Sequence, residues 1–419
     1  VYKRQTTQRA SQQDGHYPRP TLVRDHAVLL DREAGFAFDD DLVGIDEHWY
    51  SDPAPFECTI QLPFPPESEL SGIGDTGHHR CCWYRLELTQ EDLDGAGYAP
   101  GRRLLLHFGA VDHRCTVWVD GQQVGSHVGG QAPFAFDINH ALDPELQKHV
   151  VSVRAIDDPV DGRQPRGKQD WLPETHAIWY ERSSGIWRTV WLESVAPVHC
   201  ERLVWRPDIS AGQVRGIIEL NRRPHQAIEA EVAIAFDGEV LGTLSTRLVD
   251  QTTEIVVPLT RVTSGVDLEN FLWWPHRPSL MDAGLALLDS DQVIDRVRSY
   301  LGYREVGISE AGITLNAVPF ELRSVLEQGY WKQSCYTPPS VTAMREEVEL
   351  MLDLGFNSAR IHQKVEDPRF CFFADTLGLT LWSETAAAYT FDSQAVAWLT
   401  QEWVDLVRAY ESHPSIIAW

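Results

Sequence analysis

Several signals that would place this sequence quickly are missing from it. There is no Cys-x-x-Cys pair: the seven cysteines, at 58, 81, 82, 115, 200, 335 and 371, are scattered and odd in number. That excludes a disulfide framework and points to a reducing compartment, so a cytoplasmic location is expected. No apolar run reaches the length of about 18 residues that a membrane span needs. The opening VYKRQTTQRASQQDG is polar throughout and reads as neither signal peptide nor membrane anchor. Because the first residue is Val1 and not Met, a leader further upstream stays open. Positive charge is also short. Lys and Arg number 36 against 61 Asp and Glu, a net charge of −25, which excludes the nucleic-acid backbone as a partner. No metal is expected either. HHRCC (78–82) gathers four ligand types, but neighbours on a strand point to opposite faces. GRQPRGKQ (162–169) imitates a phosphate-binding loop, yet it lacks the Ser or Thr for Mg²⁺, carries Pro165 where an N–H is needed, and leads into no helix.

What is present is a globular composition, 43% apolar and 23% charged, with 15 Trp. Trp fills cores and also offers flat faces to sugar rings. After a tail at 1–19, expected to be disordered, residues 20–196 read as all-β. Short β-branched and aromatic runs such as CCWYRLEL (81–88), RRLLLHF (102–108), CTVWV (115–119) and VVSVRAI (150–156) alternate with turn signals. Asp120-Gly121 is a two-residue hairpin turn. This pattern predicts a jelly-roll sandwich. Residues 197–305 repeat it with GIIEL, AEVAIAF and TEIVVPL and a second turn at Asp237-Gly238, which suits an immunoglobulin-like sandwich.

From 306 the period changes. A strand is expected at 322–326. Ser340 caps a helix with Val341, Met344, Val348, Met351 and Leu352 on one face, ended by Gly355. FNSARI is a strand, Asp367-Pro368 opens a helix that Gly378 closes, and LTLWS is a strand. Asp392 or Ser393 starts a third helix, and SIIAW is a fourth strand. Strand–helix alternation predicts parallel strands with crossover helices. A full (β/α)8 barrel takes about 250 residues, so 306–419 amounts to less than half of one or to a small open sheet.

The ordered motifs resemble glycoside hydrolase family 2, the family of β-galactosidases, β-glucuronidases and β-mannosidases. RSSGIWRTVWLE (182–193) is similar to the segment closing that family's first domain, and VWVDGQQVGSHVGGQAPFAFDI (117–138) to its hairpin. LWWPHRPSLM (272–281) looks like its late second-domain motif. RSVLEQGYW (323–331), FNSARIHQK (356–364) and LTLWSE (379–384) resemble its first barrel strands. The resemblance implies a jelly-roll domain, an immunoglobulin-like domain and the first part of a (β/α)8 barrel. It also implies a retaining glycosidase that acts on terminal β-glycosidic bonds without a cofactor. A stretch like HPSIIAW leads, in the family, to an Asn-Glu pair holding the acid/base, with the nucleophile Glu on a later strand. Both are therefore expected beyond Trp419, and this chain alone is expected to be inactive.

Retaining chemistry needs two carboxyl groups about 5–5.5 Å apart, at the C-terminal ends of barrel strands. Glu327 and Glu384 both end strands and are expected at the mouth, Glu384 as a partner for a sugar hydroxyl or an Arg. No catalytic residue is assigned. Arg360 stands where the family places an Arg, a cation able to orient a carboxylate or to form a structural ion pair. Substrate contacts are expected from Arg360, His362, Gln363, Glu384, Gln328 and Trp331. Lys168, Gln169 and Trp171, on the long polar loop PRGKQDW (165–171), are further candidates, with a solvated loop as the alternative. The partner is a β-glycoside or polysaccharide, and an oligomer is compatible with the sequence. Two other readings stay open: a non-catalytic carbohydrate-binding protein using the jelly roll, and a complete four-stranded α/β domain.

Overall fold

A computed structural model describes residues 9–262 and 265–419. It is mostly β-sheet and has three successive cores. The first lies between a six-stranded and a four-stranded antiparallel sheet. Phe36, Leu86, Val117 and Val153 from one sheet meet Leu104, Leu106, Phe108, Val190 and Leu192 from the other. Alternate side chains of each strand enter this core, as two sheets stacked face to face require, while Cys81, Trp83 and Trp118 pack in a smaller cluster of their own. The turn expected at Asp120-Gly121 joins Arg114–Val119 to Gln122–Val128, and both of its residues have positive φ, 48° and 79°. Asp237-Gly238 does the same between Ile228–Phe236 and Glu239–Leu248. These are the φ values a two-residue hairpin needs to match the strand twist.

The second core lies between a three-stranded sheet and a four-stranded sheet, seven antiparallel strands in all. One of its buried residues comes from far away in sequence. Leu22 inserts into this core, and Val23 exchanges both backbone hydrogen bonds with Arg298. This corrects the expectation of a disordered tail over 1–19. Residues 1–8 lie outside the described residues, but from Arg9 the chain is packed. Ser11 N–H donates to Asp282 at 3.0 Å, Tyr17 donates to Glu193, and Arg24 bridges Glu193 and Asp295, both at 3.0 Å. Arg24 thus ties the first sandwich to the second through two buried carboxylates.

Residues 306–319 form a small three-stranded antiparallel sheet that the strand–helix reading had not foreseen. The parallel unit follows: β1 (Ser324–Glu327), α1 (Val341–Asp353), β2 (Ser358–Ile361), α2 (Pro368–Leu377), β3 (Thr380–Trp382), α3 (Ser393–Tyr410) and β4 (Ile416–Ala418). The strands pair in sequence order, all parallel. Their helices start where the caps were read: Ser340, Asp367 and Asp392 each accept a backbone N–H of the first turn. The helices cover one face of the sheet. Met344, Val348, Phe370, Phe373, Leu406 and Tyr410 pack over Ala359, Ile361, Leu381 and Ile416. On the other face Leu326, Arg360, Trp382 and Ala418 stand in one register row. There Leu326 is 50% and Trp382 41% exposed, so the row faces solvent.

Candidate active site at the mouth of the parallel sheet

The C-terminal ends of β1, β2 and β3 bring five of the expected residues together. Arg360, the middle of the solvent-facing row, donates from Nε and Nη2 to one Glu384 oxygen at 3.1 and 3.0 Å. The other Glu384 oxygen accepts the Gln363 backbone N–H at 2.7 Å. Glu384 is therefore a carboxylate held by three donors, and its half-buried position keeps it reachable. His362 Nε2 lies 4.0 Å from it, while His362 Nδ1 pairs with Gln328 Oε1 at 3.1 Å. Burial pushes the His362 pKa down; Glu384 opposes this, and the Arg360 and Lys168 cations reinforce it. A neutral imidazole at neutral pH follows, able to accept or donate a proton in a hydrogen bond.

The sandwich loop at 162–180 closes over this mouth. Gly167 N–H donates to Ala387, and the Tyr389 hydroxyl donates to Gly167 O at 2.7 Å and lies 3.0 Å from Gln363 Oε1. Gly167 has φ +61°, and a Cβ there would meet Gln363 O at 2.3 Å, so only glycine permits the approach. Trp171, Trp179 and Tyr389 pack edge-on in a chain, with centroids 5.1 and 5.2 Å apart. Arg166 lies over both Trp171 and Tyr389. Lys168 sits over the Trp179 ring at 4.5 Å. Tyr180 stacks on Tyr330 at 4.1 Å, tying the loop to the segment after β1. The loop is thus docked from Gln164 to Asp170, while residues 172–175, 177 and 178 stay exposed.

Two expectations need correction. Gln169 is 2% exposed, and its amide is spent on Asp112 at 2.9 Å and on the Ser183 N–H at 2.7 Å. It braces the loop from inside and does not face the mouth. Glu327 does not point to the mouth either. It shares its face of β1 with Val325, turned toward the helices, where Glu347, Lys364 and Glu366 surround it. Burial first, then Glu366 and Glu347, pushes its carboxyl well above the usual range. Trp331 is half-buried and held by its own turn, Trp331 N–H to Cys335 O at 2.8 Å. Reading the sequence did not single out Trp179, Tyr389, Arg166 or Lys364. The IWYE run (178–181) carried the aromatic signal, but its distance in sequence from residues 360–390 hid the contact. A cavity of about 300 Å³ opens elsewhere, between the two sandwiches and α3, bordered by Arg19, His107, Trp191, Arg202 and Arg408. It is distinct from the mouth.

No protein-family model matches the chain. Among curated proteins it is 24% identical over 353 residues to a putative β-glucuronidase of Formosa agariphila, covering 80% of this chain and 39% of the relative. It is also 24% identical over 345 residues to a β-galactosidase of Thermoanaerobacter pseudethanolicus, covering 80% of this chain and 44% of that protein. The chain spans about two fifths of the length of these relatives. The β-glucuronidase of Ruminococcus gnavus, solved in complex with D-glucuronic acid, shares the fold at a TM-score of 0.77 and 19% identity, over 97% of this chain and 68% of that one. A glycosyl hydrolase family 2 member from Bacteroides cellulosilyticus does so at 0.71 and 19%, over 93% and 52%. In sequence and in fold, the chain is related to glycoside hydrolase family 2.

Proposed function

We propose that this chain is the N-terminal part of a retaining β-glycosidase. In this reading the first two units are the jelly-roll and immunoglobulin-like sandwiches, and the parallel unit begins a (β/α)8 barrel. The observation that carries the reading is the Arg360–Glu384 pair, with the Gln363 N–H, at the C-terminal edge of the parallel sheet. Barrel enzymes build their sites at that edge. Glu384 is committed to three donors, so its role is to fix Arg360 and accept a sugar hydroxyl, not to attack the anomeric carbon. The acid/base and nucleophile carboxylates belong, in this proposal, to polypeptide beyond Trp419. Arg360 then orients and keeps ionised the attacking carboxylate. The docking of the 162–180 loop against β2 and β3 supports a glycosidase over a free-standing sugar-binding sandwich, because the loop is spent on the mouth.

The test is expression of the complete reading frame containing this chain, assayed on a panel of nitrophenyl β-glycosides. Turnover is expected on at least one, with the product released first as the β-anomer by NMR. Arg360→Ala should lower kcat/KM about 10²–10³-fold, the cost typical of removing one preorganised electrostatic contact. Absence of turnover on the whole panel, or an inverted first product, would falsify the reading.

A further inference from the structure

Two lysines are buried near the C-terminal edge of the sheet, one behind the mouth and one beside it, and they are treated differently. Lys364 Nζ lies 2.8 Å from the Glu366 carboxylate and donates to Gly329 O at 2.7 Å and Tyr336 O at 3.1 Å. Lys168 is only 5% exposed, yet among the described residues no carboxylate lies within 4.0 Å of its Nζ. Among the described residues its ammonium rests against the face of Trp179. The neighbouring loop carboxylate, Asp170, is turned away and occupied by His176 Nδ1 and by the N–H groups of Leu172 and His176. A buried charge without a counter-charge is costly, and a ring face compensates only part of that cost.

The position is also fixed. Gly167, one residue before, is clamped to Ala387 and Tyr389. The charges of Lys168 and Arg360 both bear on His362. Around the mouth three cations, Arg166, Lys168 and Arg360, stand with two carboxylates, Glu384, engaged by Arg360, and Asp170, engaged by His176. That local excess of positive charge occurs in a protein of net charge −25. An acidic protein that maintains a cationic pocket beside an aromatic wall is arranged to attract an anion bearing a flat apolar face.

We propose that Lys168 is the anion-reading residue of this site, and that the glycoside it accepts carries a carboxylate or sulfate group. This rests on the glycosidase reading above and names its substrate class. The sugar ring lies against Trp171, Trp179 and Tyr389, while its anionic group meets the Lys168 ammonium. Lys168 sets specificity and takes no part in bond cleavage.

Two experiments test it. In the product of the complete reading frame, kcat/KM is compared on a β-glucuronide, a 6-sulfated β-galactoside and their neutral parents. The expected preference is for one anionic substrate, and which one it is separates carboxylate from sulfate. Lys168→Gln should lose at least 30-fold on that substrate, at least tenfold more than on its neutral parent, through KM, and Lys168→Arg should recover most of it. Equal losses on charged and neutral substrates, or a neutral preference in the parent protein, overturn the inference. If no β-glycoside of any kind is cleaved, the glycosidase reading fails by itself, and the second experiment still decides this one. The 419-residue chain is titrated with glucuronate, galactose 6-sulfate and glucose, following Trp fluorescence. A saturable, salt-weakened response to an anionic sugar that Lys168→Gln abolishes supports the inference. No response to either anionic sugar, an equal response to glucose, or an unchanged Lys168→Gln titration overturns it. The variant should melt no lower than the parent, since it removes an uncompensated charge. A melting point several degrees lower would make Lys168 a structural residue and overturn the inference too.

Discussion

At the foot of the parallel sheet one buried carboxylate, Asp375, answers three donors: Tyr300 hydroxyl at 2.8 Å, His413 Nδ1 at 2.6 Å and the Ser415 N–H at 2.8 Å. Behind the mouth, on the helix-covered side of the same edge of the sheet, three carboxylates, Glu327, Glu347 and Glu366, surround one ammonium, Lys364. Asp375 is fully buried with all three donors in place, and joins the second sandwich to β4. The C-terminal edge holds protons on its helix side and keeps Arg360 and Glu384 in reach of solvent at the mouth. Polar groups at the foot hold modules together. Those at the mouth carry a cost that structure alone does not justify, which is the usual mark of a site.

The sharpest way to break this comparison is at the foot. Asp375→Ala leaves Tyr300, His413 and the Ser415 N–H buried without their acceptor. A loss of about 3–5 kcal/mol is expected, the range for removing one partner of a buried charged pair. Chemical denaturation should show it. A loss below about 1 kcal/mol would mean the three donors find water and the foot is not sealed.

At the mouth the expected order reverses. Glu384→Ala frees Arg360, whose side chain is 45% exposed, so stability should move by no more than about 1 kcal/mol. Activity of the full-length protein should fall far more than stability. Were Glu384→Ala to cost as much stability as Asp375→Ala, the mouth pair would be structural and the contrast between the ends would collapse.

The sequence showed how these ends are built more clearly than what they do. Helix caps at Ser340, Asp367 and Asp392 and the turns at Asp120-Gly121 and Asp237-Gly238 were legible because each is a local requirement on a few residues. Arg360, His362, Gln363, Glu384 and Gln328 were legible as neighbours because a parallel sheet gathers whatever follows its strands. Gln169 was misread because its partner, Asp112, lies 57 residues away and no local signal links them. Order over residues 9–19 was missed for the same reason, since its anchors are Glu193 and Asp282. The direction of Glu327 turns on a single step of strand alternation: one residue on from Leu326, it faces the helices.

The proton-retaining cluster yields the smallest expected effect. Burial, then Glu366, pushes the Glu347 carboxyl up to about 7, with Lys364 opposing. Its unfolded value is about 4.3, so between there and about 7 the folded chain binds the extra proton. Stability linked to this group is therefore fully present below that window and is lost as pH rises through it. Glu347→Gln removes the titration. The wild-type chain should lose more stability than Glu347→Gln between pH 4.5 and 7.5, measured by urea unfolding at a series of pH values. An unchanged slope in Glu347→Gln would mean that the retained proton belongs to another group, and the difference between the two ends would lie in geometry alone.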